Sequence, residues 1–169
     1  MKIVKLTFSL IFIIIFAQSC KISYSLSGAS IPADAKTVSV EYFPNQAPLV
    51  QPSLSQKLTD DLKDKFVSQT SLELINGTGD LHFQGEIVDY NTKPIDIQSN
   101  ETAASNRLTI KIHVIFTNSK DPQFDFDTTF ERYEDYSSSE ELNSVEESLI
   151  ETIVEQIIDD IFNKAVVNW

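Results

Sequence analysis

Hydrophobic and polar residues alternate one for one along four stretches of the chain and recur at helical spacing along two others. In Lys36–Phe43, Val38, Val40 and Tyr42 fall on one side and Thr37, Ser39 and Glu41 on the other, the period of a half-buried strand. Pro44, Pro48 and Pro52 end it. From Ser53 the spacing becomes helical: Leu54, Leu58, Leu62 and Phe66 recur every fourth residue, and Asp60, Asp61, Lys63, Asp64 and Lys65 fill the other face. Ser53 stands where an N-cap hydroxyl is expected. Asn76-Gly77-Thr78-Gly79 is the strongest turn signal.

Three further strands are expected. In Leu81–Tyr90, Leu81, Phe83 and Ile87 alternate with His82, Gln84 and Glu86, and Gly85 marks a bulge or a close approach. Leu108–Thr117 sets Leu108, Ile110, Ile112, Val114 and Phe116 against Thr109, Lys111, His113 and Thr117. Phe124–Tyr133 sets Phe124, Phe126, Thr128 and Phe130 against Asp125, Asp127, Thr129 and Glu131, after a hairpin turn at Asp121-Pro122. A second helix is expected from a capping box at Ser144-Val145-Glu146-Glu147 to about Val167, with a wide apolar stripe from Val145 to Val166. Alternation in every strand means one packed and one polar sheet face, which antiparallel or mixed sheets allow. The expected class is α+β: a two-layer α/β sandwich of about four strands in a mixed or antiparallel sheet, in the order β-α-β-β-β-α, with both helices on one face.

The start of the chain follows another pattern. Met1–Lys5 carries two positive charges, Leu6–Phe16 is almost wholly apolar, and Ala17-Gln18-Ser19 follows, the order of a secretory signal peptide. The apolar run of about eleven residues falls short of the roughly twenty that cross a bilayer as a helix. Ala17-Gln18-Ser19-Cys20 resembles the lipobox of bacterial lipoproteins, with Ala17 and Gln18 standing where lipoboxes usually carry Leu and a small residue. The resemblance implies removal of residues 1–19 and lipid on Cys20, the only cysteine. More than one acyl chain, at about 0.8 kcal/mol per buried methylene, gives stable anchoring. The other reading of Cys20 is a buried free thiol. The expected organisation is then a signal peptide over 1–19, a lipidated tether over 20–35 and a single domain over 36–169.

Charge narrows the partners. A formal net charge of −12 speaks against nucleic acid. The acid is concentrated late, and Glu147, Glu151, Glu155 and Asp159 form a column along the second helix. That column reads as a solvated face, with docking against a basic wall as the alternative. No Gly-rich phosphate loop, nucleophile elbow or pair of histidines at metal spacing is present, so neither an enzyme nor a cofactor is expected. His82 and His113 fall on polar strand positions and become neighbours if their strands pair; solvated surface histidines are the preferred reading over a metal or proton-transfer pair. Basic residues are scarce, and Lys93, Arg107 and Lys111 lie in or beside the expected loop from Asn91 to Arg107; scattered solvated charge is the preferred reading, with engagement of phosphate groups as the alternative.

Taken together, Cys20, the segment YSLSGASIP (Tyr24–Pro32), the strand TVSVEYF (Thr37–Phe43), the helix opening PSLSQKL (Pro52–Leu58), RLTIKIHVIF (Arg107–Phe116) and the ending DIFNKAVVNW (Asp160–Trp169) resemble the LptE family. The resemblance implies a non-enzymatic lipoprotein of the outer-membrane translocon for lipopolysaccharide, which plugs and helps assemble the β-barrel partner LptD. It also implies lipopolysaccharide binding through basic residues, for which Lys93, Arg107 and Lys111 are the candidates. Lys21, rather than Asp, after the cysteine agrees with outer-membrane sorting. A lone envelope lipoprotein that binds a lipid or small ligand in a cleft between helices and sheet is the alternative.

Overall fold

The computed structural model describes residues 31–32, 34–49, 51–95 and 105–166; the expected leader, Cys20 and most of the tether lie outside them. Five strands and two helices follow in chain order: β1 (Thr37–Val40), α1 (Leu54–Gln69), β2 (Glu73–Leu74), β3 (Leu81–Pro94), β4 (Ser105–Asn118), β5 (Phe126–Ser137) and α2 (Leu142–Val166). They form an α+β sandwich with one mixed sheet in the order β2-β1-β3-β4-β5. The fifth strand is β2, two residues long, which pairs in parallel with β1. It is too short to leave a periodic trace in the sequence.

β1 also runs parallel to β3, while β3, β4 and β5 form an antiparallel meander. β3 and β4 are longer than expected, so the loop between them shrinks to the residues between Pro94 and Ser105. Ladder pairs Asn91↔Thr109, Thr92↔Leu108 and Lys93↔Arg107 extend the hairpin through residues whose polarity reads as loop. A register shift between Ile87 and Asp89 is the bulge in β3. Gly85 marks the close approach instead: a Cβ there would lie 2.1 Å from the His113 carbonyl oxygen and 2.7 Å from Cε1 of Phe43.

The Phe43 ring explains why β1 ends early. Continued alternation would bury Tyr42, yet Tyr42 is 56% exposed and Phe43 fully buried. The chain turns after Val40, Phe43 folds over Gly85, and its N–H donates to Thr59 Oγ1 of α1 at 3.1 Å. Both helices lie on the same face, α1 over β1 and β2 and α2 over β5 and β4. Leu54, Leu58, Leu62 and Phe66 of α1 and Ile150, Ile153, Ile157 and Ile161 of α2 close on Phe83, Ile110, Ile112 and Phe116 of the sheet. Phe162, Phe66, Phe83, Phe116 and Phe126 run through this layer with neighbouring ring centroids 4.6–5.1 Å apart. The space between the layers is thus filled by side chains.

Neither expected cap forms. The Ser53 hydroxyl donates to Gln51 Oε1 at 3.1 Å and leaves the first turn of α1 uncapped by its side chain. α2 begins at Leu142, which places Ser144 inside the helix with its hydroxyl on the Glu141 carbonyl. Glu146, in the first turns of α2, accepts from the Tyr90 hydroxyl of β3 and from Gln51 Nε2 and so ties the helix to the sheet.

Candidate functional site

The sheet face turned away from the helices carries the charged side chains of the central strands. Pairing puts Lys93, Arg107 and Asp135 in one cross-strand row of this face, Asn91, Thr109 and Tyr133 in the next, then Asp89, Lys111 and Glu131, then Glu86, His113 and Thr129. Arg107 grips Asp135 with two hydrogen bonds, Nε to Oδ1 at 2.7 Å and Nη2 to Oδ2 at 2.9 Å. Its guanidinium also lies 3.5 Å from the Tyr133 ring centroid. Lys111 meets Glu131 at 2.8 Å, and His113 Nε2 meets Asp127 at 2.5 Å. The carboxylates hold Arg107 and Lys111 above their ordinary pKa values, and Arg107 draws the Asp135 carboxyl below its own.

The three cations singled out in the sequence therefore share one face and one end of the β3–β4 hairpin. They differ in state: Arg107 and Lys111 are bound to carboxylates of β5, while Lys93 is exposed and has no ionic partner among the described residues. The β5 carboxylates that answer them were not singled out, although Asp127, Glu131 and Asp135 recur every fourth residue, always on the polar side of an alternating stretch.

His82 and His113 lie on this same face but are not neighbours, because His82 pairs with Thr117 and His113 with Glu86. Four strand positions separate them, about 13 Å. His82 is not a solvated surface residue either: it is 9% exposed, with Nδ1 2.7 Å from Ser39 Oγ and Nε2 3.1 Å from Glu41 Oε1. Ser39 Oγ accepts from the Gly79 N–H at 2.8 Å, so the group staples β1 to β3 and to the turn before it. Asp80 does similar work, accepting from the N–H groups of Lys36 and Thr37 and meeting Lys120 at 2.9 Å. These donors, the Lys36 N–H foremost, hold its carboxyl well below the usual range.

The acidic column of α2 faces the solvent edge of α1. Glu151, Glu155 and Asp159 line a groove of about 520 Å³ with Asp61, Asp64, Lys57 and Lys65 of α1, and Lys65 reaches Asp159 at 2.6 Å. Among the described residues no cluster of His, Cys, Asp and Glu is placed to hold a metal ion, and no helix is long and apolar enough to cross a membrane.

Fold and face together define a two-layer α+β domain that buries one side of a mixed sheet and presents the other as a lattice of ion pairs. Solved structures share this fold: a minor lipoprotein from Acinetobacter baumannii (TM-score 0.52, 14% identity, 77% of this chain and 91% of that one) and lipoprotein B from Nitrosomonas europaea (TM-score 0.53, 13% identity, 86% and 88%). A hypothetical protein from Chlamydia trachomatis does so at a TM-score of 0.52 and 8% identity, over 79% of this chain and 99% of that one. No curated relative matches the sequence. The chain belongs to the lipopolysaccharide-assembly family LptE, which it matches over residues 35–165.

Proposed function

We propose that the mature chain is the lipoprotein subunit of the outer-membrane translocon for lipopolysaccharide, anchored through Cys20 and seated in the β-barrel partner LptD as its plug and assembly partner. The observation that carries this reading is family membership across residues 35–165, which is nearly the whole described domain. The charged sheet face supports it physically. A water-filled barrel lumen is polar, and a sheet face that carries Arg107, Lys111 and His113 against Asp135, Glu131 and Asp127 suits it. The acidic groove edge of α2 fits a basic stretch of lumen wall.

Lipopolysaccharide phosphates would meet Lys93 first, the exposed cation of the three, with Arg107 and Lys111 beside it exchanging Asp135 and Glu131 for phosphate. Tagged mature protein purified from its host in mild detergent should carry the barrel with it, and its mass spectrum should show acyl chains on Cys20. Cys20→Ala should lose that mass and the membrane retention. Reversing Glu147, Glu151 and Glu155 to Lys together should reduce recovery of the barrel. Purification of a lipidated protein without any barrel would overturn the plug assignment and leave the anchor intact.

A further inference from the structure

We propose that the free edge of β5 takes up an extended, cationic segment of a partner protein as a sixth strand of the sheet. β5 is the last strand in the order, and its ladder to β4 covers Phe126 to Ser137. Among the described residues, no backbone group outside β4 bonds to the strand between Phe126 and Tyr136. Every second residue therefore turns outward an N–H and a C=O that no backbone group among the described residues receives.

Sheets protect such an edge with a bulge, a proline, a very short strand or charged side chains, and charge alone turns away only strands of like charge. β2, at the opposite edge, is two residues long. β5 runs for twelve residues with no proline and no register shift against β4. Its outer edge also opens into a recess of about 350 Å³ lined by Glu131, Arg132, Tyr133, Glu134 and Asp135 together with Gln156 of α2. Five consecutive residues point alternately to both faces of the sheet, so the place they all border is the backbone edge itself. α2 overhangs that edge, tied to it by Gln156 to Glu134 at 2.7 Å and by the Arg132–Asp160 pair. The result is a slot with hydrogen-bonding backbone along one side and a helix as its roof.

Charge decides the occupant. Asp127, Glu131 and Asp135 stand on the outer face, each met from the β4 side by His113, Lys111 or Arg107 and each still 40–68% exposed. A strand added on the other side places its own side chains at cross-strand distance from them, where lysine or arginine at every fourth position pairs and a carboxylate is repelled. The edge carries Asp127, Glu131, Glu134 and Asp135 against Arg132, so a second copy of the chain brings mainly like charge to like charge. This assignment does not depend on the barrel reading.

The test uses the mature chain with a synthetic twelve-residue peptide that alternates lysine with threonine and valine, and a fully N-methylated copy of equal charge. Hydrogen exchange followed by NMR should show the outward amides of β5 slowed at least about tenfold by the first peptide and untouched by the second. Glu131→Gln combined with Asp135→Asn should weaken binding about fivefold, with circular dichroism confirming the fold, and raised salt should weaken the unsubstituted protein in the same direction. Four outcomes would overturn the proposal: equal binding of both peptides, protection in the α1–α2 groove instead of β5, no binding at millimolar peptide, or concentration-dependent β5 protection without peptide, which would assign the edge to a second copy.

Discussion

Substituting Gly85 tests the packing of the sheet most directly. Gly85→Ala puts a methyl group 2.1 Å from the His113 carbonyl oxygen and 2.7 Å from the Phe43 ring. Carbon and oxygen tolerate no less than about 3.3 Å, so something must give by about 1 Å in a sheet whose strands are only about 4.8 Å apart. The Phe43 ring can tilt. The His113 carbonyl belongs to the backbone of β4 and cannot move without opening the ladder beside the Gly85↔Val114 pair. Overpacking of this kind costs about 1–3 kcal/mol or more, while the lower entropy of an unfolded chain carrying alanine returns about 0.5–1 kcal/mol. With the cost at its upper end, about 3 kcal/mol, because backbone is struck, the expected net loss is about 2–2.5 kcal/mol, seen as a lower urea midpoint at unchanged slope and a Tm lower by about 5–10 °C. Combining the substitution with Phe43→Ala separates the two contacts, and most of the cost should persist because the carbonyl stays in place. A neutral or stabilising Gly85→Ala, or a double variant in which Phe43→Ala removes the whole penalty, would refute the backbone clash.

Other expectations follow from the hydrogen-bonded groups. The Asp80 carboxyl is depressed in the folded protein, so its contribution to stability is present above its unfolded pKa of about 3.9 and is lost as pH falls towards the folded value. Asp80→Asn should flatten the pH dependence of stability below about pH 4, measured by urea titration at several pH values; an unchanged curve there would contradict the assignment. Tyr90→Phe removes the hydroxyl that Glu146 accepts from and should cost about 1–2 kcal/mol, with hydrogen exchange rising first near the start of α2. Arg132→Ala breaks a half-exposed pair with Asp160 and should cost only about 0.5 kcal/mol, shrinking in high salt; a loss above about 2 kcal/mol would mean that the pair is far less screened than its exposure implies.

Alternation was enough to locate β3, β4 and β5, because each turns one face to the helices, but Phe124 and Asp125, read as the start of β5, belong to a 3-10 turn that ends before it, and β5 runs from Phe126 to Ser137. The four-residue spacing of Leu54, Leu58, Leu62 and Phe66 located α1 in the same way. Strand ends were less legible. Asn91, Thr92 and Lys93 are strand only because Thr109, Leu108 and Arg107 lie opposite them. The capping reading of Ser144 failed because the helix starts earlier, at Leu142, so that Ser144 lies inside it and gives its hydroxyl to the Glu141 carbonyl. Among the candidate cations, the sequence showed that Lys93, Arg107 and Lys111 lie close along the chain. Their ionic state depended on which strand became the neighbour of β4.

By itself, then, the sequence determined the two-layer plan, the polar and apolar faces and the charge on each strand, all of which are properties of periodicity and composition. Only the tertiary structure decided the partners: Phe43 rather than Tyr42 over Gly85, His82 in a staple with Ser39 and Glu41, and Arg107 and Lys111 held by β5 while Lys93 stays exposed. It also decided that β5 and not β4 forms the long edge of the sheet. The physical reason is that periodicity fixes which way a side chain points, whereas a cross-strand contact depends on strand order and register, which are set by closing the whole sheet against its two helices.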